Sequence, residues 1–383
     1  MILIDALGYS NLTRQCAPRL SDFINETRKL SRVRTLLDYS NAIVPSIFSG
    51  MYPEEHNIWG IFKMSPESYP FKLLSLFRPS IFDKNKYLRY FATRMIYAYS
   101  KKKNSIPGDM FPVNIPIRLA KYFDISLKKH IIDPGALEPS LTLFDLLRSQ
   151  GIPFSYSGYP TIVGTDNILS STMRSFQNSS VSLCYIDEID HQQHLVGTSS
   201  KKFIERIRIF DDSITDFLRK IIKNEKMSLM MFSDHGMRDV TDKLNLQKVI
   251  DDLNLTIGKD IVYFIDSTIA RFWIFNEKAR ITLSEALTST QGGHLLNDEE
   301  IRKYRINFKS NEYGDLIYLA DPGKLILPNF YSVRGGIVKG MHGWDPMDEL
   351  QDSFLYTNVP IIDKLDVPDV TYFFSIMRKI LGI

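Results

Sequence analysis

Residues 181–197 read VSLCYIDEIDHQQHLVG. The opening run, VSLCYI, is too short for a helix of its own and leads straight into acids and histidines, the pattern of a buried strand feeding a helix. Within that helix Asp190 and His194 are i and i+4 neighbours, so both occupy one face of a turn and could reach one cation. Working outward, the same strand-then-acid arrangement recurs. The run MILIDA at 1–6 carries Asp5 near its end, and SLMMFS at 228–233 is followed by Asp234 and His235. PFSYSG at 153–158 is a further strand candidate, and helical periodicity fills 17–28, 41–49, 141–150 and 202–223. Short apolar runs alternating with longer periodic stretches predict an α/β fold with a mainly parallel central sheet flanked by helices. Ligands bind such a sheet beyond the carboxyl ends of its strands, so Asp5, Asp190 and Asp234 are expected to converge in one crevice.

A chain of 383 residues with 44% apolar content can bury a large core, and 1–383 is read as a single elaborated domain. No apolar run approaches the roughly 20 residues of a membrane span, and no charged and then apolar leader precedes the first strand. Only Cys16 and Cys184 are present, too few for a disulfide scaffold, so a reducing cytoplasm is the expected setting. The net charge of +3 is spread over a balanced mixture, and nothing in it argues for nucleic acid. Two stretches interrupt the alternation. Residues 66–137, rich in aromatics, lysine, arginine and proline, read as a helical, cap-like insertion. Residues 268–335 alternate strand-like ARFWIF and GDLIYLA with helix-like LSEALTS and DEEIRKY, which suggests a small α+β subdomain before the chain delivers His342.

Each ligand candidate has an ordinary alternative. Asp5 alone could be a turn or helix cap, and Asp190 with His194 alone could be a solvated helix face. Asp234 and His235 are adjacent and reach one ion only if the backbone turns sharply, which Gly236 permits. His342 lies between Gly340 and Gly343, where the backbone can come close to a metal. Taken together at strand ends, three carboxylates and three imidazoles suit two divalent cations working on phosphate-like oxygens.

The best-placed nucleophile lies in LDYSNAIVPSIFSGMYPEEHNIWG, residues 37–60. Ser40 begins a helix-compatible segment ending near Gly50, so its hydroxyl is expected at a helix N-terminus, where backbone N–H groups and the helix dipole favour anions. The alternative is a plain N-cap serine. Coordination to a divalent cation would lower the hydroxyl pKa and turn a cap into an alkoxide.

The order Asp5, Ser40, Asp190 with His194, Asp234 with His235, then His342 resembles the alkaline phosphatase superfamily, in its type I phosphodiesterase/nucleotide pyrophosphatase branch. There the nucleophile, usually threonine, lies ten residues before the glycine of a TGLYPESHGI-like stretch; here Gly50 opens GMYPEEHNI and Ser40 holds the nucleophile's place. YIDEIDHQQHLVG, SDHGM and GMHGWDP match the branch's other motifs in order. The resemblance implies an alkaline-phosphatase-like core and one metal on Asp190, His194 and His342. A second would sit on Asp5, Asp234, His235 and the Ser40 oxygen. Zinc is the usual occupant, and the same donors could hold manganese. The implied reaction is in-line attack by Ser40 on phosphorus through a covalent phospho-enzyme.

One departure concerns the asparagine that pyrophosphatases of the branch carry 21 residues after the nucleophile, where it holds a phosphoryl oxygen. Ile61 stands there and cannot donate a hydrogen bond. Lys63 is the nearest cation, with a solvated surface lysine as its alternative, and Arg271 is either a phosphate anchor or half of an internal ion pair. The stretch 79–103, PSIFDKNKYLRYFATRMIYAYSKKK, could clamp a substrate, stack a base, lie against an anionic membrane or simply pack on the core. His56, His130 and His294 show no partner pattern, while His191 is close enough in sequence to support the metals. The expected substrate is a small phosphorylated compound, whether nucleotide, nucleotide-sugar or lipid-linked phosphate. Phosphomonoesterase, phosphonate hydrolase and a non-catalytic phosphate-binding protein are the alternatives. The motif for maturing a sulfatase nucleophile is absent around Ser40.

Overall fold

The computed structural model describes residues 1–27, 30–65, 67, 72–102, 114–224, 226–331, 338–360 and 367–383. The strands that position the site and its neighbour are β1 (Ile2–Ile4), β2 (Leu30–Val33), β3 (Phe154–Gly158), β4 (Val181–Ile186), β5 (Met230–Phe232), β6 (Ile261–Ile265), β7 (Ile269–Ile274), β8 (Gly293–Leu295), β9 (Leu316–Ala320) and β10 (Ser353–Thr357). The main helices are α1 (Pro18–Thr27), α2 (Ser40–Ser49), α3 (Lys86–Lys102), α4 (Leu143–Ser149), α5 (Thr165–Ser175), α6 (Glu188–Val196), α7 (Lys201–Ile222), α8 (Glu277–Ser289) and α9 (Tyr372–Leu381).

A six-stranded sheet runs in the order β2-β10-β5-β1-β4-β3. β5, β1, β4 and β3 are mutually parallel, with Ile2 in register with both Met231 and Cys184. β10 runs antiparallel to β5 and to β2. The α/β expectation holds, with one reversed strand in an otherwise parallel array. Period-2 alternation explains why the strands read as unbroken apolar runs: both faces are buried. Ile2, Ile4, Cys184 and Met231 pack under α1, α5 and α7, while Leu3, Leu183, Met230 and Phe232 pack under α2, α4 and α9. Cys184 is therefore core, and Cys16 is likewise a free thiol.

A second, antiparallel sheet has the order β6-β7-β9-β8. It takes in Ile261–Ile265, ahead of the expected subdomain start at 268, because β6 and β7 form a hairpin. The described part of 66–137 is mainly helical but closes on a strand, Phe123–Ile125, that pairs with Phe62–Met64; residues 66, 68–71 and 103–113 lie outside the described residues, as do 332–335 of the 268–335 stretch. Leu74, Ala92, Ile96 and Phe123 join Phe264 and Trp273 in one apolar cluster, which fastens this segment to the second sheet. Among the described residues no helix is long and apolar enough to cross a membrane.

Candidate active site

The three central parallel strands each end in a ligand candidate. Asp5 directly follows β1, and its N–H donates to Ile186 at the end of β4 at 2.9 Å. Asp190 and His194 lie in the first and last turns of α6, which follows β4. Asp234 and His235 follow β5, and His342 follows the two-residue strand Gly340–Met341, paired with Arg238–Asp239. Gln193 Nε2 donates to the Ala6 carbonyl at 3.0 Å and so ties α6 to the turn carrying Asp5.

Gly236 matters through its size. A Cβ there would fall 2.3 Å from the Leu350 carbonyl oxygen, so only glycine lets the Asp234–His235 turn reach the loop before β10. Gly343 combines a positive φ of +86° with a built Cβ 2.8 Å from the Tyr39 ring, and thereby seats His342 edge-on against that ring.

Donor atoms converge in two abutting sets, Asp5/Asp234/His235 and Asp190/His235/His342, the ligating atoms of each lying within 4.8 Å of one another. His194 joins the second through its Nε2, 3.2 Å from Asp190 Oδ1. The His342 ring stacks on His235 with centroids 3.7 Å apart, so the two triads implied by the sequence touch rather than stand separately. His194 Nδ1 lies 2.9 Å from the Gly340 carbonyl and His235 Nδ1 lies 2.8 Å from that of Gly236. A carbonyl can only accept, so in each ring Nδ1 bears the hydrogen and Nε2 presents its lone pair to the cluster. Asp234 accepts through Oδ1 from the N–H groups of Ala6 and His235, and Asp5 Oδ2 accepts from the Tyr185 hydroxyl at 2.5 Å. Asp234 Oδ2, Asp190 Oδ1 and His342 Nδ1 are shielded from water and have no hydrogen-bond partner. Buried polar atoms are rarely left so, and carboxylate and imidazole atoms aimed at common points are the donor set a divalent cation takes.

The electrostatics agree. Burial, together with the charges of Asp234 and Asp190, pushes the Asp5 carboxyl well above the usual carboxylate range. Burial also opposes the charge on Asp190, but His194 and His342 outweigh it and hold that carboxyl low. Burial and His235 push His342 well below the usual imidazole range, keeping it neutral as a ligand must be. Three carboxylates gathered in one water-shielded place repel one another, and bound divalent cations would remove that repulsion.

Ser40 is the first residue of α2; Tyr39 occupies the cap position. The serine hydroxyl does not cap the helix. Its Oγ lies 3.0 Å from His235 Nε2 and 3.5 Å from Asp5 Oδ1, facing the first donor set. Next in the chain, Asn41 has both side-chain amide atoms shielded from water and without a hydrogen-bond partner.

Neither expected substrate cation faces this cluster. Arg271 is 1% exposed: its Nη2 donates to Asp266 at 3.2 Å and its Nη1 to the Phe62 carbonyl at 2.7 Å. It is half of an internal ion pair. Lys63 pairs with Glu312 at 3.0 Å and is likewise committed elsewhere. His191 points to solvent from the outer face of α6. Of the remaining histidines, His56 bonds Ser46, His294 bonds Glu300, and His130 packs on Tyr156.

Two site features escaped the sequence reading. Tyr185 looks like a core aromatic within its strand, and Asn41 looks like an ordinary first-turn residue. Ile61, in place of the branch's asparagine, was the signal that another donor should be sought.

Comparison with known proteins places this geometry. The family model described as type I phosphodiesterase / nucleotide pyrophosphatase matches residues 1–345. The fold is shared with human ectonucleotide pyrophosphatase/phosphodiesterase 5, at a TM-score of 0.67 and 14% identity, over 100% of this chain and 95% of that one. The murine protein of the same name gives 0.68 and 14%, over 100% and 94%. An inactive variant of the murine protein, in complex with AMP, gives the same values. The chain is a member of the type I phosphodiesterase/nucleotide pyrophosphatase family, a family of phosphate-ester hydrolases, and has the α/β fold of these neighbours.

Proposed function

We propose that the protein is a phosphodiesterase/nucleotide pyrophosphatase acting through a covalent phosphoserine at Ser40. The observation that carries this is the Ser40 hydroxyl, unused as a cap and 3.0 Å from His235 Nε2 at the start of α2. The residues that would hold two divalent cations are Asp190, His194 and His342, and Asp5, Asp234, His235 and Ser40. Zinc suits their imidazole and carboxylate donors, and manganese is the other candidate. Such cations lower the pKa of a coordinated hydroxyl and offset charge on phosphoryl oxygens. Ser40 Oγ loses its proton and bonds phosphorus as the bond to the leaving oxygen breaks; water then cleaves the Oγ–P bond and the serine regains its proton.

The positive end of the α2 dipole would favour the incoming anion. We assign to the Asn41 amide the task that Ile61 cannot perform, donation to a non-bridging phosphoryl oxygen. A nucleotide-type substrate is the preferred reading, in keeping with the AMP complex of the murine neighbour. A cytoplasmic setting belongs to the same proposal, resting on two unpaired thiols.

Turnover of bis-p-nitrophenyl phosphate and p-nitrophenyl phosphate, after chelation and re-addition of zinc or manganese, tests the reading. Diester turnover should exceed monoester turnover, and Ser40→Ala should abolish both by about 10³-fold or more. Faster monoester turnover makes the protein a phosphomonoesterase, and an unaffected Ser40→Ala rate removes the nucleophile. Asn41→Ala should cut diester kcat/KM by about 10- to 100-fold, the worth of a hydrogen bond to a charged group.

A further inference from the structure

Helix α3 lies far in sequence from every residue of the active site, and it presents an apolar face to solvent. Tyr87 is 59% exposed, Phe91 62%, Met95 52% and Tyr99 51%, each four residues from the next. At 3.6 residues per turn these four and Leu88 fall within an arc of about 120°. The adjoining arc, carrying Ala92, Thr93, Ile96 and Ser100, is the one buried. The helix therefore has two apolar faces: one seated on the second sheet's core, the other with nothing over it among the described residues.

Charge selects the occupant. From Lys84 to Lys102 the sequence contains no acidic residue, while Lys84, Lys86, Arg94, Lys101 and Lys102 are exposed and none has an ion-pair partner among the described residues. Arg94 and Lys101 fall along one edge of the apolar arc. Tyr90 and Tyr97 line that same edge, within cation–π distance of Arg94 and Lys101 at 5.8 and 6.0 Å. A second protein would have to supply an apolar groove and an acidic rim matched to this arc. A bilayer of anionic phospholipid supplies an apolar layer beneath a negative surface without any such match. Lys101 and Lys102 lie in the last turn of the helix, where the dipole favours positive charge without acidic partners.

We propose that α3 is an in-plane membrane anchor. Its aromatic and methionine face enters the headgroup boundary of an anionic leaflet while its lysines and arginine stay at the phosphate level. The inference stands on this helix alone and does not depend on the nucleophile or metals.

Co-sedimentation of the full chain with phosphatidylcholine vesicles, with and without about 30 mol% phosphatidylglycerol, tests it at low and moderate salt. Binding should be at least about 10-fold stronger to the anionic vesicles and should weaken as salt rises. The double variant Phe91→Ser/Met95→Ser should lose about 10-fold or more in partitioning, and Lys101→Glu/Lys102→Glu should lose the preference for anionic lipid. All four positions are exposed, so hydrolysis of a soluble phosphodiester by each variant should match the parent and confirm folding. Equal sedimentation with both lipids, or variants that bind like the parent, would overturn the proposal. So would light scattering that shows a dimer dispersed by Phe91→Ser/Met95→Ser, because the face would then belong to a second copy of the chain.

Discussion

Two places in this molecule bury carboxylates and cationic or imidazole groups, and they treat the charge in opposite ways. Behind Tyr39, Asp266 and Arg271 are each 1% exposed and pair with one another at 3.2 Å, with the guanidinium lodged 5.2 Å from the Phe264 ring centre and 5.5 Å from that of Trp59. Beyond β1, β4 and β5, Asp5, Asp190 and Asp234 converge with no guanidinium or ammonium paired to them among the described residues, and the unpartnered oxygens of Asp190 and Asp234 belong to the two donor sets. Buried charge alone thus says little about function. What separates the two is whether the fold supplies its own counter-charge, and only the strand-end cluster leaves that to a ligand.

The sharpest way to break this contrast is to neutralise one member of each cluster. On the proposed function Asp234→Asn removes one of the candidate ligands, so hydrolysis should fall by about 10³-fold or more, and the divalent metal retained after re-addition of zinc or manganese, read by elemental analysis, should fall with it. In chelated protein the same change should leave the melting temperature equal or raised, because it relieves repulsion among the three carboxylates. Arg271→Met should do the reverse. It strands Asp266 without a partner and should cost about 3–5 kcal/mol of stability by urea titration. The KM of the remaining folded enzyme should stay within about twofold. A large rise in KM for Arg271→Met would return this residue to the substrate, and a chelated Asp234→Asn protein that melts far lower would make the strand-end cluster self-sufficient.

Legibility in the sequence followed the same divide. β1, β4 and β5 were readable because strands buried on both faces appear as continuous apolar runs, and their acids stood out at the ends. β2 and β10 are not legible, since LSRV is half polar and mostly half-buried, and β10's place between β2 and β5 is set by contacts more than a hundred residues away. The six candidate ligands and Ser40 stand out by type, order and spacing, and their division into two sets is what the family resemblance implies. That the two sets abut is not legible, because the stacking of His342 on His235 depends on two loops meeting in space. Arg271 in the sequence alone fits two roles, although its partner is nearby: β6 and β7 pair through Ile265 and Ala270, which brings Asp266 and Arg271 together at the hairpin end. Asn41 carried no signal of its own, since a lost hydrogen-bond partner is visible only once burial is known.

The smallest effect tests the border between the two clusters. Asp38 directly precedes Tyr39, accepts from the N–H groups of Tyr39 and Gly60, and is pushed up to about 7 mainly by burial, with Asp266 adding and Arg271 subtracting. From its ordinary value of 3.8 up to that point, the folded chain holds a proton that the unfolded chain lacks. Its contribution to stability is therefore full below about pH 4 and is lost as pH rises through 7. Asp38→Asn cannot titrate, so the difference in melting temperature between parent and variant should drift in the variant's favour across that window, by about 1.4 kcal/mol or ~2 °C per pH unit. A flat difference would mean that Asp38 stays ionised throughout. Arg271 would then serve two carboxylates with one guanidinium, and the cluster behind Tyr39 would carry net negative charge as the strand-end site does, so that convergence of free oxygens, and not charge balance, would be what tells the two apart.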